Sequence, residues 1–293
     1  MNAKVKISRR AGASFPVRRM SFDFDRVPEY WMNGSAGLTH FMTALSALFP
    51  AGEKFFIDSV RAVRQHPQIQ GNPALQKEIS AFIGQEAMHT QEHAGFNASA
   101  QKYGHDVARL DRTAERIIQG MRKAFAFAGK PAGITQEMVD LTATIALEHF
   151  TATIASQLLT NPHIQQLMAD ETMKTMWLWH AVEENEHKAV AYDVFEAVFG
   201  KGFKAYALRT GSLVTAMLTL FAVQSYFVLR LLRDDRQLNL AALKDIYTYG
   251  YSPSKGIIAG MGREMLAYFR PGFHPDDLDT AGLLDAWRAK LGF

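Results

Sequence analysis

Cysteine is absent from the 293 residues of this chain. Its absence excludes disulfide bonds, thiolate zinc sites, iron–sulfur clusters and cysteine nucleophiles, and it fits a cytoplasmic location. The sequence also lacks a Gly-x-Ser-x-Gly nucleophile elbow, a phosphate-binding glycine-rich loop and a fingerprint for flavin or nicotinamide. None of these chemistries therefore competes with the metal site that other residues indicate.

Neither sign of charge dominates the chain, which has 32 Lys and Arg, 29 Asp and Glu, and a net charge of +3. The basic residues do not form the dense stripe that nucleic-acid binding needs, so we expect no nucleic-acid partner. Residues 1–20 are basic but contain no apolar run, which argues against a signal peptide. We interpret them as an arm that is either solvated or in contact with anionic lipid headgroups. Its basic residues are Lys4, Lys6, Arg9, Arg10, Arg18 and Arg19.

No segment alternates polar and apolar residues for more than a few positions, which is the pattern of a half-buried strand. Apolar residues instead recur every three or four positions, between clusters of glycine and proline. This pattern predicts an all-α fold of long antiparallel helices. Residues 21–293 should form one helical domain, with a bundle over 36–199, followed by a long apolar helix and C-terminal helices over 203–290. The predicted helices cover 36–48, 51–65, 74–103, 106–128, 135–160, 163–199, 203–233, 238–248, 254–269 and 276–290.

Two predicted helices each carry a Glu-x-x-His motif. In helix 74–103, Glu86 and His89 share a face of roughly 60° with His93. In helix 163–199, the pair Glu184 and His187 is preceded on the same face by His180. His93 is either a second-sphere residue that orients a ligand or a buried histidine bonded to a backbone carbonyl.

Two further predicted helices each carry an isolated glutamate among apolar neighbours, Glu53 and Glu148. A Glu from each of two helices and a Glu-x-x-His from each of two others is the ligand set of dinuclear sites in four-helix bundles. Four carboxylates neutralise two divalent cations, and oxygen and nitrogen ligands without sulfur suit iron, manganese or zinc. We expect two metal ions, with iron favoured. Glu92, Glu183 and Glu186 should face away, as surface charges or ion pairs between helices.

The order and spacing of these motifs resemble the ferritin-like di-iron carboxylate superfamily. The segments FPAGEKFF, FIGQEAMHTQEH, ALEHFTA and WHAVEENEHKAVAYDV more closely resemble a bacterial family described as predicted metal-dependent hydrolases, over roughly residues 20–270. The His-x-x-x-Glu-x-x-His pattern of residues 180–187 is similar to that of di-iron arylamine N-oxygenases. Together these resemblances imply a ferritin-like four-helix bundle with additional N- and C-terminal helices. The implied metal ligands are Glu53, Glu86, His89, Glu148, His180, Glu184 and His187.

Three functions stay open at this point. A carboxylate-rich pair of ferrous ions suits an O2-activating oxidase or oxygenase with a small apolar substrate, and its electrons would come from a separate reductase. The alternative is a metal-dependent hydrolase, in which two metals activate water and stabilise the oxyanion. A non-catalytic ferritin-like metal-binding protein is the third.

Residues 210–229 form an uncharged run bounded by Arg209 and Arg230. The run approaches the ~20 residues that span a bilayer, but its hydroxyl and amide side chains make a poor span. It is therefore either a core helix, or a surface that docks on a second subunit, as in a homodimer, or on the inner face of the membrane. In the docking case, its apolar flank would contain Leu213, Met217, Leu220, Phe221, Phe227 and Val228, with Arg209, Arg230, Arg233, Arg18 and Arg19 reaching headgroups.

Overall fold

The computed structural model describes residues 6–8 and 14–293 and confirms an all-α protein. A two-stranded antiparallel pair, β1 (Lys6–Ser8) and β2 (Val17–Arg19), precedes the helices. The α-helices are α1 (Ala36–Ser46), α2 (Phe49–Ala62), α3 (Pro67–Gln70), α4 (Pro73–Ala100), α5 (Val107–Gly129), α6 (Gln136–Thr160), α7 (Pro162–Leu167), α8 (Glu171–His187), α9 (Val190–Phe199), α10 (Phe203–Asp234), α11 (Leu240–Asp245), α12 (Met261–Ala267) and α13 (Ala281–Leu291). Residues 101–103, 130–132 and 275–277 form 3₁₀ turns, and residues 246–251 form a π-helical turn.

Polar caps fix where three of the long helices begin. The side chains of Asn72, Thr135 and Asp170 each accept a hydrogen bond from a backbone N–H in the first turn of α4, α6 and α8. These bonds satisfy donors that have no partner inside the helix. Proline also occupies the first position of α4, where its missing N–H costs nothing.

Helices α2, α4, α6 and α8 pack around a common axis: α2 lies against α4 and α6, and α8 lies against α6 and α4. Apolar side chains form two separate clusters along this axis. One contains Phe49 and Trp179, and the other contains Phe55 and Phe82. Helix α2 runs from the first cluster to the second, whereas α4 and α6 both run from the second to the first. Because α4 and α6 run in the same direction, α5 has to carry the chain back between them. The predicted ligands lie between the two clusters.

The predicted helix over 163–199 is wrong as one continuous element. It consists of α7, α8 and α9, with breaks at residues 168–170 and 188–189. Neither break contains glycine or proline, and the local signal in the first break is Asp170, which caps α8. The second break lets α9 pack against α4 and α6 instead of continuing past them. The predicted helix 254–269 is likewise reduced to α12, because the turn after the π-helical segment occupies residues 252–260.

The interpretation of residues 1–20 as a solvated arm is wrong for its last part. Phe15, Val17, Arg18 and Met20 are buried, and of the arm's arginines in this stretch only Arg19 is exposed. Gln85 of α4 donates a hydrogen bond to the carbonyl of residue 16, so the segment packs directly on the bundle. The arm's other basic residues have no described side chains: Lys6 lies in β1, and Lys4, Arg9 and Arg10 lie outside the described residues.

Candidate metal centre

The seven predicted ligands lie together between the two apolar clusters, and none is more than 3% exposed. They are Glu53 of α2, Glu86 and His89 of α4, Glu148 of α6, and His180, Glu184 and His187 of α8. The ligand atoms of Glu53, Glu86 and His89 lie within 4.8 Å of one another, as do those of Glu86, Glu184 and His187. Glu86 belongs to both groups, so the two groups adjoin.

Distances join the remaining side chains to these groups. Nε2 of His187 lies 3.1 Å from Oε1 of Glu86 and 3.6 Å from Oε2 of Glu148. Nε2 of His180 lies 3.7 Å from Oε1 of Glu53. Spacing along four separate helices therefore brings together side chains that are up to 134 positions apart in sequence (from Glu53 to His187).

A chain of hydrogen bonds determines which nitrogen of His180 faces the centre. Ser46 donates its hydroxyl proton to Asn97 (2.8 Å), so its oxygen accepts from Nδ1 of His93 (2.8 Å). Nε2 of His93 then accepts from Nδ1 of His180 (2.7 Å). Nε2 of His180 is left with its lone pair 2.8 Å from Oε1 of Glu184. His93 uses both ring nitrogens in this chain, so it positions His180.

The histidines of the two Glu-x-x-His motifs are oriented in the same way. Nδ1 of His187 donates to Oε1 of Gln85 (2.8 Å), because Gln85 uses its amide N–H groups on Glu186 and on a backbone carbonyl. Nε2 of His89 donates to Oε2 of Glu183 (3.1 Å). Each ring therefore has one nitrogen fixed by the protein and presents the other to the centre, which is the usual arrangement of metal-binding histidines.

The centre consists almost entirely of hydrogen-bond acceptors. The buried atoms that form no hydrogen bond with good geometry include both oxygens of Glu53, Glu86 and Glu148, Oε2 of Glu184, Nδ1 of His89 and Nε2 of His187. Buried polar atoms normally have partners, and acceptors that face only acceptors need a cation or added protons between them. These residues therefore fit metal ions held by carboxylate oxygen and imidazole nitrogen.

The pKa values show what these groups do when no cation is present. Burial, with the charge of neighbouring carboxylates, raises the pKa of Glu53, Glu86 and Glu148 well above the usual range. Burial also raises the pKa of Glu184, but its close contacts with His180 and His187 outweigh this effect and bring the pKa well below the usual range. Burial lowers the pKa of His187, but Glu184 and Glu148 raise it to about 9. Protons therefore replace cations in the metal-free centre.

A buried ion-pair network supports the histidines, and the sequence reasoning missed it. Glu183 and Glu186 have fully buried carboxylates, so of the two predicted roles, surface charge is wrong and an ion pair between elements is what they form. Arg18 binds Glu183 at 3.0 Å and both oxygens of Glu186 at 2.7 and 2.8 Å. Arg18 supports His89 through Glu183. It supports His187 through Glu186, which binds Gln85, the partner of His187. Arg288 also binds Glu186, at 2.8 Å. Glu92 is buried too, and accepts a backbone hydrogen bond from residue 22.

A cavity of about 410 Å³ reaches the centre at Glu53, within the range of roughly 300–1,000 Å³ typical of ligand sites. Helices α2, α5, α6 and α10 contribute most of its walls, which are apolar except for Glu53, Arg122 and hydroxyls. Arg122 is paired with Asp140 at 2.6 Å. A smaller cavity of about 30 Å³ touches His180 and Glu184 and shares wall residues with the larger one. The shared residues are Leu45, Phe49, Thr151 and Ile154.

A second group of histidines lies elsewhere, where α1, the end of α10 and the loop before α5 meet. One nitrogen each of His40 and His105 and an oxygen of Asp235 lie within 4.8 Å of one another. Oδ2 of Asp235 already accepts hydrogen bonds from His40 (2.7 Å) and from Tyr30 (2.9 Å). This carboxylate therefore has protein donors, unlike those of the central cluster, and we interpret the group as a hydrogen-bonded connection between elements.

The fold and the centre define an all-helical protein with a buried cluster of glutamates and histidines able to hold metal. The chain belongs to the family described as "predicted metal-dependent hydrolase", whose model matches residues 16–279. No curated protein and no solved structure matches the chain. The predicted family is thereby confirmed, whereas the wider resemblance to the ferritin-like superfamily and to the N-oxygenases stays a prediction.

Proposed function

We propose that this protein is a metal-dependent hydrolase with a dinuclear centre that acts on an apolar substrate. The observation that carries the proposal is the set of buried acceptors without donors, placed at the inner end of an apolar cavity. The proposed metal ligands are Glu53, Glu86, His89, Glu148, His180, Glu184 and His187. The family description supports hydrolysis as the reaction.

The groups of neighbouring ligand atoms suggest which residues would hold each of the two ions. One ion would lie among Glu53, Glu86 and His89, and the other among Glu86, Glu184 and His187. Glu184 also forms a group with His89 and His180, so Glu86 and Glu184 are carboxylates that could contribute to holding either ion. Two bound ions supply Lewis-acid activation of water and of the bond to be cleaved. Iron, manganese and zinc all suit this donor set.

The chain's own residues would hold and orient the substrate. The apolar walls of the large cavity bind the hydrocarbon part and exclude water, which leaves the reacting bond at the end marked by Glu53. The small cavity beside His180 and Glu184 is large enough for a water molecule, which needs roughly 10–15 Å³ measured in the same way. A cytoplasmic location is part of this proposal.

The test of hydrolysis uses protein stripped of metal and reloaded separately with Fe(II), Mn(II) or Zn(II). We expect cleavage of p-nitrophenyl esters to require metal and to improve as the acyl chain lengthens, because longer chains bury more apolar surface. Glu53→Gln should abolish this activity, whereas Glu137→Gln, an exposed carboxylate on α6, should not change it. Metal-independent cleavage would contradict the proposal.

Oxidation of the same substrate with O2 is a second candidate. One observation favours it: the cavity hydroxyls of Thr142 and Thr151 already donate to backbone carbonyls. The cavity therefore offers few donors for a polar scissile group. Rapid O2 uptake by the Fe(II)-loaded protein with a chemical reductant, in the absence of ester cleavage, would select oxidation. An external reductase would then be a partner. Metal binding with neither activity would indicate a non-catalytic metal-binding protein.

The structure makes His180 a testable seventh ligand. His180→Ala should leave two ions bound, because six ligands remain, but should weaken metal affinity at least about tenfold. The optical spectrum of the Co(II)-loaded protein reports coordination and should change. His163→Ala, at an exposed histidine, is the control. An unchanged Co(II) spectrum would mean that His180 only hydrogen-bonds Glu184.

A further inference from the structure

Helix α10 exposes a continuous apolar face along most of its length. Phe203, Val214, Leu218, Phe221 and Leu229 are 85, 49, 69, 61 and 47% exposed. Their spacings of eleven, four, three and eight residues place them on one side of the helix over about 40 Å. The smaller residues on this side, Ala207, Gly211, Ala222 and Ser225, are also uncharged. Lys204, at the edge of this side, donates to the carbonyls of residues 132 and 133. We call the nine uncharged residues the outer face of α10.

The opposite side of α10 is part of the protein interior. Leu213, Phe227 and Val228 are buried there, so their predicted place on an exposed flank is wrong. Gln224 donates to the carbonyl of residue 41 in α1, and Arg209 is buried against backbone carbonyls that follow α12, so it does not reach headgroups. The helix is long and apolar enough to cross a membrane, but these contacts fix it lengthwise on the bundle. Its outer face can therefore lie on a bilayer, not span it.

The large cavity opens beside this outer face. Gly211 is exposed and also lines the cavity, and Phe125 of α5, another lining residue, is 46% exposed. From this mouth, the wall follows Ser212, Thr215 and Thr219 of α10. Its inner end is at Glu53, in the metal centre. Leu208, Leu220 and Val223 of α10 line the cavity beside these hydroxyls, so an apolar molecule that leaves the surface at Gly211 stays in largely apolar surroundings until it reaches the centre.

We propose that the large cavity binds the hydrocarbon chain of a lipid, which enters at Gly211 while the outer face of α10 rests on an anionic bilayer. Arg233 and Arg236 are exposed just beyond the end of the apolar face. The exposed Asp234 between them pairs with Arg230 at 2.7 Å, which leaves the charges of Arg233 and Arg236 to match anionic headgroups. A bilayer is the fitting occupant because it both covers the apolar face and supplies a chain at the mouth. A second copy of this chain on the same face would cover the mouth instead. This inference rests on the proposed function only for the reaction at the inner end of the cavity. Binding of the bilayer and of the lipid chain does not depend on it.

The docking test is co-sedimentation with vesicles of equal parts phosphatidylcholine and phosphatidylglycerol at low salt. The wild-type protein should bind, and the double variant Leu218→Glu/Phe221→Glu should bind at least about tenfold more weakly, because charged groups are costly in the apolar layer. Leu266→Glu replaces a leucine of equal exposure, 69%, on α12 and should bind as wild type does. Absence of wild-type binding, or equal loss in the control, would overturn the proposal. So would a wild-type dimer in analytical ultracentrifugation that the double variant dissociates.

The cavity test uses cis-parinaric acid, a fluorescent fatty acid, and needs no catalysis. A side chain at Gly211 meets no atom within 4 Å at its Cβ, so Gly211→Phe should fold and narrow the mouth. We expect uptake of the probe to fall at least about tenfold, with vesicle binding retained. Gly120→Phe on α5 has equally free space and does not line the cavity, so it should leave uptake unchanged. Equal uptake by Gly211→Phe and wild type would overturn the cavity assignment. Because both tests work on metal-free protein, their failure is separable from failure of the hydrolase proposal.

Discussion

Glu148→Gln should raise the stability of the metal-free protein and at the same time reduce its stabilisation by metal to less than half. The Glu148 carboxylate is 1% exposed, and neither of its oxygens has a hydrogen bond of good geometry. Because burial raises the pKa of Glu148, the metal-free protein must take up a proton there when it folds at neutral pH, and the neutral amide removes this cost. We expect this to add roughly 1 kcal/mol or more to the free energy of unfolding. Metal at about a thousandfold above Kd should stabilise the wild type by about 4 kcal/mol, and the variant by less than half of that.

The measurement is thermal unfolding with and without metal, combined with elemental analysis of bound metal. Elemental analysis should show that the variant loses at least one of two ions. Glu137→Gln, at an exposed position of the same helix, is the matched control and should change neither quantity. Retention of both ions at wild-type occupancy in Glu148→Gln would refute the assignment of Glu148 as a ligand. A metal-free variant less stable than wild type would refute the argument that the buried acid is costly.

Arg18→Met should destabilise the protein by about 3–5 kcal/mol, because it leaves the carboxylates of Glu183 and Glu186 buried with too few partners. The methionine keeps much of the side chain's apolar volume but loses the contacts of 2.7–3.0 Å to both acids. The cation also lies 4.6 Å from the ring centre of Phe293, at the other end of the chain. We further expect metal affinity to fall by about 10–100-fold, because Glu183 orients His89.

Denaturant unfolding of the metal-free protein measures the effect of Arg18→Met on stability alone. Metal affinity is then measured where the variant is folded, so that the two effects are separated. Arg19→Met is the matched control, because Arg19 is exposed and belongs to the same strand. It should change stability by less than about 0.5 kcal/mol. If both variants behaved alike, the segment around residue 18 would be a loose arm, as its basic composition alone suggests.

Helical periodicity was enough to predict which helix faces carry the proposed ligands. Glu86 with His89, and Glu184 with His187, depend only on neighbours within a turn, and this local geometry survives whatever the rest of the chain does. Glu53 and Glu148 were found because an acid among apolar neighbours needs a partner. That these four faces pack against one another could be inferred only from the number and order of the motifs, because the pattern within one helix does not show which other helix it contacts.

The sequence by itself determined the all-α fold, the family and the side chains that the structure gathers into one buried cluster. The tertiary structure alone decided that Arg18, Glu183 and Glu186 are buried together, because their pairing joins positions up to 168 residues apart and leaves no periodic trace. It also decided which side of α10 is core and which is exposed. Both sides of that helix are apolar, so hydropathy could not distinguish them, and only the packing of α1 and α6 against one side does.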